Sequence, residues 1–102
     1  MEVLLAQIRY SAISRHIPIM EDAPAKLLAE TVRERQPRKI LEIGTAIGYS
    51  GLIMLNVSPA ATLTTIEKDP ERLIEARNNF EKAGMLESVR TIEDDAVFVE
   101  LL

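Results

Sequence analysis

Two acids and two glycines carry the spacing in this chain that could hold a small molecule: Glu42, Gly44, Gly48 and Glu67. The first three sit in Lys39-Ile40-Leu41-Glu42-Ile43-Gly44-Thr45-Ala46-Ile47-Gly48-Tyr49-Ser50. That stretch reads as a buried strand, a tight glycine turn and the opening of a helix, the shape of a nucleotide-cofactor site in an open α/β sheet. Glu67 ends the next strand-like run, where a ribose diol could be held.

The spacing discriminates between cofactors. A dinucleotide loop requires Gly-x-Gly-x-x-Gly with the pyrophosphate on the helix amides. Counted from Gly44, Ala46 and Tyr49 occupy the other two glycine positions, so that pattern fails. A phosphate loop requires Gly-Lys-Ser/Thr, and the chain has none. What remains is Glu-x-Gly-x-x-x-Gly, with Glu42 two positions before Gly44. A carboxylate so close repels a pyrophosphate and favours a cationic ligand. S-adenosylmethionine, with an ammonium and a sulfonium and no phosphate, meets that condition.

Other reactive side chains are scarce. The absence of cysteine excludes disulfides, thiolate catalysis and cysteine-ligated zinc, and the single His16 excludes a metal site needing two imidazoles from one chain. His16 reads as a surface or capping residue rather than a base, and Asp94-Asp95 as a helix N-cap with a neighbour rather than a catalytic carboxylate pair. Met54 reads as packing, and Met20 is balanced between packing and cofactor contact. Arg72 and Arg77 read as a solvated helix face, not an RNA patch. Twelve basic against sixteen acidic residues give a net charge of −4, so no global basic field draws the chain to nucleic acid or anionic membrane. No apolar run reaches the ~18 residues of a spanning helix and no signal-peptide pattern is present, so a cytoplasmic protein is expected.

These residues must be positioned by regular elements, and 47% apolar with 27% charged residues suits a globular fold. Val3, Leu4, Leu5, Ile8, Ala12 and Ile13 recur at helical spacing over residues 3–14. Ile17-Pro18-Ile19-Met20 breaks the pattern. A second helix is expected from about Pro24 to Arg35, with Leu27, Leu28, Thr31 and Val32 on one side and Pro37 closing it. Residues 40–43 read as a buried strand and Ser50 to Val57 as a short apolar helix. Residues 62–66 are β-branched almost throughout and read as the second strand. Asp69-Pro70-Glu71 then starts a helix, with a capping side chain, proline in the first turn and an acid at the positive end of the dipole. Its buried face would carry Leu73, Ala76, Phe80 and Ala83, with Gly84 as its stop. Val89 to Ile92 is a third strand, and a further helix is expected over 96–102. The order predicts an α/β fold, a Rossmann-like parallel sheet with flanking helices. Residues 1–36 form N-terminal helices and residues 37–102 the cofactor-binding αβ half of one domain.

Leu41-Glu42-Ile43-Gly44-Thr45-Ala46-Ile47-Gly48-Tyr49-Ser50 resembles the first motif of the class I S-adenosylmethionine-dependent methyltransferases. More narrowly it is similar to the form found in cation-dependent O-methyltransferases of the catechol and caffeoyl-CoA type. His16-Ile17-Pro18-Ile19-Met20 resembles the bacterial branch that methylates 5-hydroxyuridine in tRNA. The likeness runs from about residue 10 to residue 100. It implies that Glu42 accepts the cofactor's amino group, while Gly44 and Gly48 admit its backbone approach. Thr45, Tyr49 and Ser50 would contact its methionine portion, Glu67 the ribose hydroxyls, Lys68 and Asp95-Ala96 the adenine, and Met20 would close the site. The family usually has Gly-Asp-Ala where this chain has Asp94-Asp95-Ala96, which places extra bulk and charge near the adenine.

The resemblance also implies a longer enzyme with a seven-stranded sheet, of which this chain supplies three strands. The divalent-metal ligands (for a metal such as Mg) and the acceptor pocket, for a small hydroxylated molecule or tRNA, follow the fourth strand, so no catalytic or metal-binding residue is assigned here. With strand order 3-2-1-4-5, the outer edge of the first strand would be exposed and apolar, and self-association as a homo-oligomer is expected. Three readings stay open: the N-terminal part of an O-methyltransferase, a non-catalytic S-adenosylmethionine-binding or assembly module, and a short dehydrogenase-like domain disfavoured by the failed glycine pattern.

Overall fold

A computed structural model describes residues 1–95 of the chain. The helix expected over 96–102, and with it Ala96, lies outside those residues. The described elements are α1 (Glu2–Ser14), α2 (Asp22–Arg35), β1 (Lys39–Ile43), α3 (Tyr49–Val57), β2 (Thr62–Glu67), α4 (Pro70–Lys82), a single 3-10 turn (Leu86–Ser88) and β3 (Val89–Glu93). The three strands form one parallel sheet in the order β1-β2-β3. The α/β architecture expected from the sequence is the one observed, and β1 lies at an edge of the described sheet.

The elements begin and end within two residues of their expected bounds. The largest difference is at α2, which starts at Asp22 rather than Pro24. Pro24 thereby falls in the first helical turn, where its missing N–H would have had no intrahelical partner. Gln36 ends α2 in the left-handed region, and its side-chain amide donates to the carbonyls of Arg33 (2.9 Å) and Val57 (2.8 Å). The Ser58 hydroxyl donates to the Pro37 carbonyl at 3.0 Å, so the ends of α2 and α3 are tied to each other. α4 starts as expected: Asp69 Oδ1 accepts the Glu71 N–H at 2.9 Å, with Pro70 first in the helix.

Pleat alternation and register divide the sheet into two faces. Ile40, Glu42, Leu63, Thr65, Val89 and Thr91 share one face; Leu41, Ile43, Thr64, Ile66, Arg90 and Ile92 share the other. Both α3 and α4 pack on the first, around fully buried Leu63, Leu52 and Phe80. α3 is apolar around most of its circumference because the sheet lies on one side of it and α1 and α2 lie on the others. The core runs without a break from Ile8 and Ala12 of α1 and Ala25 and Val32 of α2 into α3, β2 and α4. The N-terminal helices therefore share one core with the strand-bearing half.

Several apolar residues expected inside are outside. β1 is not buried on both faces: Leu41 is 51% and Ile43 63% exposed, because the described helices cover only the opposite face. In α1 the buried line is Ile8 and Ala12, one turn apart, and Val3 and Ile13 lie beyond its arc in solvent. In α2 the inward line is Ala25, Leu28, Ala29 and Val32, which leaves Leu27 and Thr31 exposed. In each helix the apolar stretch is wider than the surface its neighbours can cover.

Candidate functional site

The glycine turn between β1 and α3 is built from backbone that enters positive φ three times. Gly44 has φ +88°, Ala46 +49° and Gly48 +90°. The N–H groups of Gly44 and Thr45 both donate to the Ile66 carbonyl, at 2.8 and 3.1 Å, pinning the turn to β2. At Gly48, the N-cap of α3, a Cβ would meet the Phe80 ring at 3.3 Å and Ala76 Cα at 3.4 Å, so close contact adds to the positive φ in favouring glycine. Gly44 is different: a Cβ there meets nothing within 4 Å, and the backbone faces open space. From below, Asn79 of α4 donates its buried side-chain amide to the Ile47 carbonyl at 2.8 Å.

Two carboxylates hold the turn. Glu67 Oε1 accepts the Ala46 N–H at 2.8 Å and its Oε2 accepts the Asp69 N–H at 3.0 Å. Ala46 is a non-glycine residue in the left-handed region, at a typical cost of ~1–2 kcal/mol, and the bond to Glu67 helps hold it there. Each Glu67 oxygen retains a second acceptor position, since a carboxylate offers about four lone-pair sites. Glu42 is set deeper. The Ser50 hydroxyl donates to its Oε2 and the Thr65 hydroxyl donates to its Oε1 at 2.7 Å. Thr65 in turn meets the Thr45 hydroxyl at 2.5 Å. Burial pushes the Glu42 carboxyl up from its ordinary value, the hydroxyls of Ser50 and Thr65 pull it down, and the like charge of Glu67 adds to the rise.

Two hollows open on either side of Gly44. One, of about 300 Å³, is lined by Pro18, Ile19, Met20, Gly44, Thr45, Ala46, Tyr49 and Ser50. The other, of about 290 Å³, is lined by Ile43, Gly44, Ile66, Glu67, Lys68, Asp94 and Asp95. The structure thus brings together ten of the sequence-expected residues: Met20, Gly44, Thr45, Tyr49 and Ser50 in the first hollow, Gly44, Glu67, Lys68 and Asp95 in the second, Glu42 joined to Ser50, and Gly48 at the seat of the turn. Ala96 lies outside the described residues. Asp94 donates its N–H to the Glu67 carbonyl at 3.0 Å and accepts the Asp95 N–H on its own carboxylate at 2.8 Å, so its charge is turned partly onto local backbone.

His16, Met54, Arg72 and Arg77, set aside at the level of sequence, line neither hollow. His16 is exposed, with φ +56°, where the chain leaves α1. Met54 is in the core. Arg77 donates to the Thr91 hydroxyl at 2.9 Å, and Arg72 stands 4.0 Å from Asp69. Among the described residues no group of three or more His, Cys, Asp or Glu side chains is placed to hold a metal ion, and no helix is long and apolar enough to cross a membrane. Sequence reasoning missed Thr65 and Asn79. Thr65 had a usable signal: in a parallel pair with Lys39 opposite Thr62, it falls beside Glu42 on the same face. Asn79 had none, being one polar residue on an amphipathic helix.

The sequence profile of the O-methyltransferase family matches residues 1–100. Catechol O-methyltransferase B of Danio rerio is 36% identical over 73 residues, covering 71% of this chain and 28% of that protein. The O-methyltransferase TomG of Streptomyces achromogenes, solved in complex with SAM, superposes with a TM-score of 0.81 at 29% identity, over 92% of this chain and 44% of that one. The O-methyltransferase of Bacillus cereus, solved in complex with SAH, gives 0.82 at 26% identity, over 93% of this chain and 44% of that one. The chain therefore spans less than half the length of these relatives. On a match that runs through nearly all of its residues and a fold shared with solved members, the chain belongs to the O-methyltransferase family.

Proposed function

We propose that this chain holds S-adenosylmethionine, as the donor-binding part of a cytoplasmic enzyme that transfers a methyl group to a hydroxyl oxygen. The observation that carries the reading is the pair of hollows meeting at Gly44, with Glu67 at one and the Thr45–Ser50 wall at the other. Open space where a Gly44 side chain would stand lets a ligand run across the backbone from one hollow to the other. The spare acceptor positions of Glu67 suit a ribose diol, with Lys68 and Asp95 beside the base. Met20, Thr45, Tyr49 and Ser50 would border the methionine portion, and Glu42 behind Ser50, when ionised, favours a cation. When bound, the cofactor supplies an electrophilic methyl group on its sulfonium.

In the complete enzyme the acceptor is a small hydroxylated molecule or a hydroxylated tRNA base, and a divalent cation such as Mg orients its oxygen. None of the described residues is assigned to that half of the reaction. For this chain by itself the expected outcome is binding without transfer. Titration calorimetry with S-adenosylmethionine and, in parallel, with NAD tests the proposal. Heat with the first and none with the second is expected, and Glu67→Ala should abolish most of it. Undiminished binding in Glu67→Ala, or no binding at all by the unaltered chain, would sink the proposed site.

A further inference from the structure

Thr65 lines neither hollow, is fully buried, and yet stands at the centre of the polar contacts under the first one. Its hydroxyl has one proton, which it donates to Glu42 Oε1 at 2.7 Å. The 2.5 Å contact with Thr45 must then run the other way, with the Thr45 hydroxyl donating to Thr65. Ser50 donates to the second Glu42 oxygen from the opposite side. Three hydroxyl protons are therefore directed inward toward one carboxylate. Thr45 and Ser50 both border the first hollow, but the Thr45 side chain is fully buried, so Ser50 is the wall hydroxyl open to it, and with its proton turned inward it can present only lone pairs.

We propose that Thr65 is a positioning residue for the cationic end of the ligand, setting the wall of the first hollow as hydrogen-bond acceptor through the chain Thr45–Thr65–Glu42–Ser50. This rests on the cofactor reading given above. The consequence of adding a proton can be followed atom by atom. A neutral Glu42 carries an O–H that must donate to Thr65 or to Ser50. If Ser50 receives it, the Ser50 proton turns toward the hollow. If Thr65 receives it, Thr65 redirects its own proton to Thr45, and the buried Thr45 proton loses its inward acceptor. By the first route the Ser50 hydroxyl changes from acceptor to donor, which opposes an ammonium group, and by the second the buried Thr45–Thr65 contact reverses. The groups that face Glu42 are Ser50 from α3, Thr65 from β2 and, as the one further charge acting on it, Glu67 at the end of β2. Burial already favours the neutral form, and Thr65 is one of the two hydroxyls that hold the charged form in place.

The test is binding of S-adenosylmethionine to the full chain between pH 5 and 8, for the unaltered protein, Thr65→Val and Thr65→Ser. Affinity of the unaltered chain should weaken as pH falls. Thr65→Val, nearly the same shape without the hydroxyl, should bind roughly tenfold more weakly at neutral pH, the order expected for one hydrogen bond to a charged group. Its affinity midpoint should move up by about one pH unit. Thr65→Ser should restore both. A valine variant whose profile overlays that of the unaltered chain overturns the proposal, as does a serine variant that behaves like valine. Glu42 carboxyl titration followed by carbon NMR is read in the same variants without ligand. If the unaltered chain fails to bind, the cofactor reading falls, and a Glu42 midpoint unmoved by Thr65→Val then refutes the hydroxyl chain on its own. Thr65→Ala replaces valine in both measurements if the valine variant does not fold.

Discussion

Substituting Gly51 by alanine sets two effects of opposite sign against each other, and the structure decides between them. Gly51 lies inside α3, where glycine costs about 1 kcal/mol relative to alanine, so propensity alone predicts stabilisation. The added Cβ would stand 2.9 Å from Leu63 Cδ2 and 3.2 Å from two ring carbons of Phe80. The leucine methyl is the end of a side chain that can turn, but both Leu63 and Phe80 are 0% exposed. Neither can yield without displacing something else in the core, and overpacking of this kind costs about 1–3 kcal/mol. The contact term should win, leaving a net loss of up to about 2 kcal/mol and a melting temperature lower by roughly 4–8 °C for each kcal/mol lost. Urea unfolding followed by far-UV circular dichroism measures the change, with the slope expected to stay constant. Asn56→Ala at an exposed position of the same helix is the control, and should be neutral or slightly stabilising. A Gly51→Ala chain more stable than the parent by about 1 kcal/mol would refute the close seating of α3 on β2.

The remaining predictions concern charge and assembly. Arg15, the C-cap of α1, makes two hydrogen bonds to Glu75 of α4, at 2.9 and 2.5 Å, and these hold the Glu75 carboxyl below its ordinary value of 4.5. A lowered carboxyl contributes stability above 4.5 and loses it as pH falls through the folded-state value, so the melting-temperature gap between the parent and Glu75→Gln should close on acidification. A gap that is constant with pH would remove Glu75 as its source. β1 pairs only with β2 among the described residues, and its Leu41 and Ile43 are exposed, so the chain should self-associate through this edge. Light scattering at high concentration should give a mass above 11.4 kDa, reduced by Leu41→Lys, and a single-chain mass throughout would exclude it.

Much of the fold could be read from local chemistry. The Asp69-Pro70-Glu71 start of α4 and the β-branched run of β2 each depend on a few adjacent residues, and the structure bears both out. Where the reading failed, the missing quantity was coverage. Leu41, Ile43, Val3, Ile13 and Leu27 are apolar, and nothing in their own spacing reveals whether a neighbour reaches them. The candidate site shows the same division. Glu42, Gly44, Gly48 and Glu67 carried a recognisable spacing. The partners that fix their geometry, Thr65 across the strand pair and Asn79 beneath the turn, depend on register and helix placement, which emerge only once the chain is assembled.

The sheet order has a kinetic meaning. Because β1, β2 and β3 stand side by side in the order in which they occur along the chain, each new strand adds to an edge already formed and none is inserted between two others. Register partners are separated by only about two dozen residues, so each addition closes one short loop, and loop entropy rises slowly with length. A chain emerging from the ribosome can therefore set down β1, α3, β2 and α4 in sequence, completing the glycine turn and its two carboxylates without waiting for later residues. Growth of this kind proceeds outward from β2 toward β3 and leaves β1 as the older margin, paired on one side only among the described residues. Early protection of β2 amides from hydrogen exchange, ahead of β3, would be its signature.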